Sequence, residues 1–209
     1  KGGRHGHVDL EDAIARSCDV YFYSLAATLG VNHISGFMGR FGFGAETGID
    51  IGGEKPGILP SPEWKKKAFR RPQDQVWFPG ETVNFGVGQG YLTVTPVQLA
   101  HATAMLAMRG RSFRPRLVTG VRDAVSGAVK ALPAAPLPGI DDVDSTNWDR
   151  VIRGMEGATR YGTAAAIGKG AAYTLAGKTG TAQVFSIGQQ ERYNDAANAA
   201  RQRNERLRD

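Results

Sequence analysis

A chain of 209 residues has room for one domain and one hydrophobic core, and no internal boundary marks a second. With 41% apolar and 22% charged residues the composition is that of a globular protein, and no apolar run approaches the ~18 residues expected of a membrane span. The net charge of +6 is concentrated in Lys65, Lys66, Lys67, Arg70 and Arg71, which reads as a solvated face or a contact for an anionic surface; nucleic acid is disfavoured because no aromatic stacking pattern beyond Phe69 accompanies it.

Residues Lys1–His7 read as a Gly/His-rich loop. Asp9 then has the chemistry of an N-cap, with Glu11 and Asp12 in the first turn of a helix ending near Arg16. Ser17-Cys18-Asp19 forms a turn, and a second helix runs from Val20 to Leu29, where Gly30 stops it. Ile34, Phe37, Met38 and Phe41 recur at i, i+3, i+4, i+7, so Asn32–Arg40 is an amphipathic helix. From Phe43 to Gly80 the pattern is irregular, a long surface excursion with only Ile49/Ile51 alternating like a strand. The small or polar residues Asn84, Gly86, Gly88 and Gly90 suggest that Thr82–Gly90 passes close to another element. Thr95, Pro96 and Gln98 make a capping box for a helix reaching toward Gly110. Arg116–Val121 and Ala128–Leu132 form a hairpin about Ser126-Gly127, Pro133–Gly139 is an extended linker, and a helix follows with Trp148, Val151, Ile152 and Met155 on one face. Tyr173–Phe185 reads as a strand. Beyond Gly188 apolar residues nearly vanish, so 189–209 is a polar helix or a disordered tail.

Two clusters carry chemistry. Ala176-Gly177-Lys178-Thr179-Gly180-Thr181 offers an ammonium and two hydroxyls that share one face of an extended chain, an arrangement suited to holding a carboxylate. Far upstream, Ser17-Cys18-Asp19 offers a hydroxyl and a carboxylate; as isolated residues Ser17 and Asp19 would equally serve as N-caps of the Val20 helix. The single cysteine, Cys18, excludes an intrachain disulfide framework.

Together these clusters, with the strings "CDVYFY", "FMGRFGFGAETGIDI", "VGQGYLTVTPVQLAHATAML" and "AGKTGTAQVF", resemble the transpeptidase domain of class B penicillin-binding proteins over nearly the whole chain. The S-x-D form, where most of the class has S-x-N, resembles the elongation-specific branch, penicillin-binding protein 2. The resemblance implies an α+β fold, in which a KTG-bearing edge strand of an antiparallel sheet packs against a helical subdomain, the 209 residues forming part of that domain. It implies a peptidoglycan D,D-transpeptidase working through a serine acyl-enzyme at the periplasmic face of the bacterial inner membrane, with D-Ala-D-Ala stem peptides and β-lactams as ligands and membrane-anchored elongation proteins as partners. Ser17, Asp19 and Lys178 would be catalytic; Lys178, Thr179, Gly180 and Thr181 would bind the substrate carboxylate, with the Thr181 N–H lining the oxyanion site. No S-x-x-K occurs in the 209 residues, so the nucleophile is expected upstream of Lys1 and this chain alone is expected to be inactive. A non-catalytic cell-wall-binding module is the alternative reading, and a β-lactamase a weaker third. If Ser17 and Asp19 face the cleft of an extended turn, Cys18 faces behind it, where its thiol and the imidazole of His5 (less readily His7) supply half of a tetrahedral structural Zn²⁺ site of the kind some relatives of this branch carry. The bland reading of the same residues is a small buried hydrophobe and a solvated histidine.

Overall fold

The structure, a computed structural model, describes residues 5–182. The chain divides into two compact units, Lys1–Lys178 and Thr179–Asp209. Of the second unit, residues 179–182 are described and carry neither helix nor strand. The tail expected at 189–209 lies outside the described residues.

The first unit is a helical assembly with two small antiparallel ladders. Helix α1 (Leu10–Ala15) starts where Asp9 Oδ1 accepts the Asp12 N–H at 2.8 Å. Helix α2 (Asp19–Leu29) ends at Gly30, whose positive φ gives way to α3 (Val31–Gly39). Helix α6 (Pro96–Ala107) begins in the expected capping box: Thr95 Oγ1 accepts from the Gln98 N–H and Gln98 Oε1 from the Thr95 N–H. The long amphipathic α7 (Ser145–Arg160) is capped by Asp144, and the short α8 (Ala165–Gly168) follows it. Met105 of α6, Ile140 and Trp148 of α7 form a buried cluster, with Phe41 packed edge-on against Trp148. This cluster ties α6 to α7 and fixes where α7 lies.

The surface excursion expected from Phe43 to Gly80 is in fact partly helical. It holds α4 (Pro62–Ala68), a 3-10 turn (Pro72–Gln75) and the start of α5 (Pro79–Gly86). Apolar periodicity fails there because the inward face of α4 is a lysine. Lys65 is 3% exposed, so it does not belong to the solvated basic face, whereas Lys66, Lys67, Arg70 and Arg71 are exposed. Helix α5 packs on α2 so tightly that a Cβ on Gly86 would lie 2.3 Å from the Ala26 Cβ, which bears out the close approach expected of that segment.

The hairpin is present, with β2 (Gly120–Arg122) pairing antiparallel to β3 (Val129–Ala131). The expected Pro133–Gly139 linker contains β4 (Pro136–Leu137), which pairs with β1 (Ser112–Phe113). Pro136 lacks an N–H, but a two-residue edge ladder does not need it. The expected strand over Tyr173–Phe185 is not formed across its described part, residues 173–182. A strand exists only through a ladder partner; Leu175 and Gly177 bond instead to helix α7.

Candidate active site

Helix α1 ends in a Schellman motif: the Cys18 N–H bonds to the Ala13 carbonyl (2.9 Å) and the Ser17 N–H to the Ile14 carbonyl (3.2 Å). That motif needs a left-handed residue at the position Ser17 occupies, usually glycine, and Ser17 adopts it with φ +52°. A serine there is held against its own preference, at a cost of about 1–2 kcal/mol. The reversal explains the directions of the next side chains. Cys18 is buried, Ser17 is half-buried and Asp19 is exposed. The burial differs from residue to residue, but the expected alternation of faces does not hold: Ser17 is left-handed rather than extended, and Cys18 lines the same cavity as Ser17 and Asp19. The capping alternative does not hold: the N-cap of α2 is Cys18 and makes no side-chain cap hydrogen bond.

Lys178 Nζ donates to Ser17 Oγ at 2.8 Å, joining two residues 161 positions apart. Partial loss of hydration pulls the Lys178 pKa below the ordinary lysine value, and the negative charge of Asp19 pushes the other way. The ammonium therefore gives up a proton more readily than a free lysine would.

Helix α7 positions both partners. On one side it seats α1, because glycines let the backbones approach: a Cβ on Gly154 would lie 2.9 Å from Ile14 Cβ, and one on Gly157 3.0 Å from Ala15 Cβ. Just past α7, Gly162 approaches so closely that a Cβ would lie 2.0 Å from the Ala15 carbonyl oxygen, which also accepts the Thr163 N–H at 3.1 Å. Arg153 pairs with Glu11 at 2.8 Å, and the Tyr161 hydroxyl donates to Asp12 at 3.2 Å. On another face α7 receives the segment before Lys178: the Gly177 N–H donates to the Met155 carbonyl at 3.0 Å, and Thr159 Oγ1 donates to the Leu175 carbonyl. Sequence reasoning singled out Ser17 and Lys178 and missed these supports. A glycine repeat at 154, 157 and 162 along an otherwise helical stretch was the available signal.

Thr179, Gly180 and Thr181 belong to the second unit and are exposed. His5, His7 and Cys18 line one cavity of about 830 Å³, together with Ser17, Asp19 and Tyr21. Among the described residues, no group of three or more His, Cys, Asp or Glu is gathered as a metal site.

The family model described as the penicillin binding protein transpeptidase domain matches residues 2–201. The peptidoglycan D,D-transpeptidase MrdA of Haemophilus influenzae is 41% identical over 92% of this chain and 29% of its own length; that of Escherichia coli K12 is 36% identical over 97% and 31%. The chain thus spans about a third or less of these relatives. Among solved structures, Pseudomonas aeruginosa PBP2 in complex with WCK 5153 superposes with a TM-score of 0.72 and 45% identity, covering 85% of this chain and 39% of that one. The PBP2 of a complex with MreC from Helicobacter pylori superposes with a TM-score of 0.71 and 31% identity over 88% and 32%. These similarities show the expected mixture of helices and antiparallel sheet, and the chain belongs to the penicillin-binding protein transpeptidase domain family.

Proposed function

We propose that this chain is the part of a peptidoglycan D,D-transpeptidase that holds the substrate's carboxylate end and relays the leaving-group proton. The observation that carries the reading is the Lys178–Ser17 hydrogen bond at 2.8 Å, made by a serine kept in a left-handed turn. With Oγ accepting from Lys178, the Ser17 hydroxyl proton is free to point elsewhere. In the complete enzyme a nucleophilic serine attacks the penultimate D-Ala carbonyl, an ester C–O bond forms, and the C–N bond to the terminal D-Ala breaks. The proton that the nucleophilic serine loses passes to the lysine of its own S-x-x-K; Ser17 gives its proton to the departing nitrogen and is refilled from that lysine, while Lys178 stays charged beside Ser17 Oγ. An amine from a second stem peptide then displaces the ester and restores the serine. A β-lactam follows the first half of this path.

Lys178, with the hydroxyls of Thr179 and Thr181 that follow it and Gly180 between them, would hold the substrate carboxylate by charge-assisted hydrogen bonds. The Thr181 N–H would line the oxyanion site. Asp19, exposed at the start of α2, would accept the substrate's amide N–H and tune the Lys178 charge. The work would take place at the periplasmic face of the inner membrane, beside elongation proteins of the MreC kind. Identity to MrdA relatives over more than nine-tenths of this chain supports that placement.

We further propose that His5 and Cys18 supply two donors of a structural Zn²⁺ site whose remaining donors come from outside the described residues. Their shared cavity and the inward thiol of Cys18 support it; such a metal would pin the Ser17 turn. Stoichiometric zinc in the full-length protein, lost together with melting temperature in Cys18→Ser, is the expected result. A metal-free protein, or a Cys18→Ser variant unchanged in both respects, contradicts it.

Acylation by a fluorescent penicillin tests the main reading. Full-length protein should be labelled on a serine that lies in an S-x-x-K and not on any serine of these 209 residues, and Ser17→Ala should slow labelling while leaving the fold intact. Labelling of Ser17 itself would reject its relay role and the upstream nucleophile; no labelling at all would reject the transpeptidase and favour the binding-module alternative.

A further inference from the structure

We infer that Thr159 is a positioning residue, whose hydroxyl sets where Lys178 stands relative to Ser17. The inference rests on the function proposed above and adds a residue that neither cluster contains. Thr159 lies in the last turns of α7 and is 6% exposed, among the few buried polar residues of the described part of the chain. Its hydroxyl has two acceptors, the Glu156 carbonyl one turn back at 3.0 Å and, closer, the Leu175 carbonyl of the segment leading to Lys178. A threonine in a helix commonly bonds back to its own turn. Here the nearer acceptor is sixteen residues downstream, so the hydroxyl acts between elements.

The geometry explains why this fixes Lys178. Thr159 and Met155 are four apart on α7, about 6 Å along the axis at 1.5 Å per residue. Leu175 and Gly177 are two apart, about 6.6 Å along an extended chain. The two rises match, so two bonds, Thr159 hydroxyl to Leu175 carbonyl and Gly177 N–H to Met155 carbonyl, clamp the segment antiparallel to the helix. The rest of Thr159 closes the space around the clamp. A Cβ on Gly177 would lie 3.4 Å from its methyl carbon, and one on Gly168 2.2 Å from its carbonyl oxygen. Lys178 is the next residue beyond the clamp, and α1, seated on the same helix, leads into the turn that carries Ser17. With the hydroxyl removed, one of the clamp's two bonds is lost, the register of the segment loosens, and so does the distance of the ammonium to Ser17 Oγ.

The test separates the hydroxyl from the methyl in the full-length protein. Thr159→Val keeps the shape and loses the donor; Thr159→Ser keeps the donor and loses the methyl. Positioning predicts a fall of about tenfold in the acylation rate for Thr159→Val at little change in melting temperature, with Thr159→Ser within about twofold of wild type. A packing role predicts the reverse order, and wild-type acylation in Thr159→Val would overturn the inference. Should the Val variant not fold, Thr159→Ala and Thr159→Ser, which both lack the methyl, make the same comparison: a slow Ala with a fast Ser supports it, and equal rates reject it. Lys178→Ala serves as the control. If it acylates normally the function proposed above fails; if it is slow while Thr159→Val is not, this inference alone fails.

Discussion

Two lysines of this chain are held in opposite ways. Lys65 is buried; its Nζ donates to the Val76 carbonyl at 2.7 Å and to the Glu81 carboxylate, and it stands 5.2–5.9 Å from the rings of Phe78, Tyr91, Phe69 and Trp77. Burial would raise the Glu81 pKa, but the bonds from Lys65, the Phe78 N–H and the Tyr91 hydroxyl keep it below the ordinary value. Every polar contact there is fixed and internal. Lys178 instead meets a neutral hydroxyl, in a strained turn, with its own pKa lowered by lost hydration. An ammonium bonded to a carboxylate and a carbonyl joins elements together, whereas one bonded to a hydroxyl, with its pKa lowered by lost hydration, gives up a proton more readily. The difference is in surroundings, since the side chain is the same.

The contrast is sharpest in variants. Lys65→Ala leaves the partly buried Glu81 without its cation and should cost about 2–3 kcal/mol of unfolding free energy, below the loss expected for a fully buried pair, read by denaturant titration. Activity per folded molecule should change little. Lys178→Ala should do the opposite: it slows acylation by about 2–4 kcal/mol of transition-state stabilisation, measured by stopped-flow labelling, at an almost unchanged melting temperature. If both variants lose stability alike, the two lysines do not differ in kind.

Ser17→Gly places in the left-handed position the residue that suits it. The protein should become more stable, by about 1 kcal/mol, while acylation slows. A destabilised glycine variant would mean that the turn is not strained.

A third base extends the comparison with the smallest effect. Burial lowers the His101 pKa, with Glu54 and the Phe113 backbone opposing it; Nε2 meets the Ser112 hydroxyl at 3.1 Å, and Nδ1 is buried with no hydrogen-bond partner among the described residues. With the folded-state pKa below the unfolded one, the unfolded chain takes up the proton first as pH falls. Stability should therefore be full above about pH 6.5 and decline as pH drops below it. His101→Gln should flatten that decline in a pH series of melting temperatures.

What could be read from the sequence follows the same division. Asp9, the Thr95/Gln98 box and the apolar face of α7 act through neighbours within a turn or two, and they marked their helices correctly. The Lys178–Ser17 pairing was legible only as two clusters of the right chemistry, since nothing local joins residues 161 apart. Helix α4 went unseen although Ser61 caps it and Pro62 opens it, because its buried face is Lys65 within an aromatic cluster rather than an apolar stripe. The short β4 was hidden by its proline. The strand expected around Lys178 was inferred from alternation, which records which faces side chains share and not what pairs with the backbone.

The central claim is that Ser17 and Lys178 work as one unit. A double-mutant cycle on the acylation rate of the full-length protein, with Ser17→Ala, Lys178→Ala and the pair, measures this directly. The account predicts strong non-additivity, the double variant being little slower than the slower single one. Additive losses, each variant contributing its full effect in the presence of the other, would contradict it.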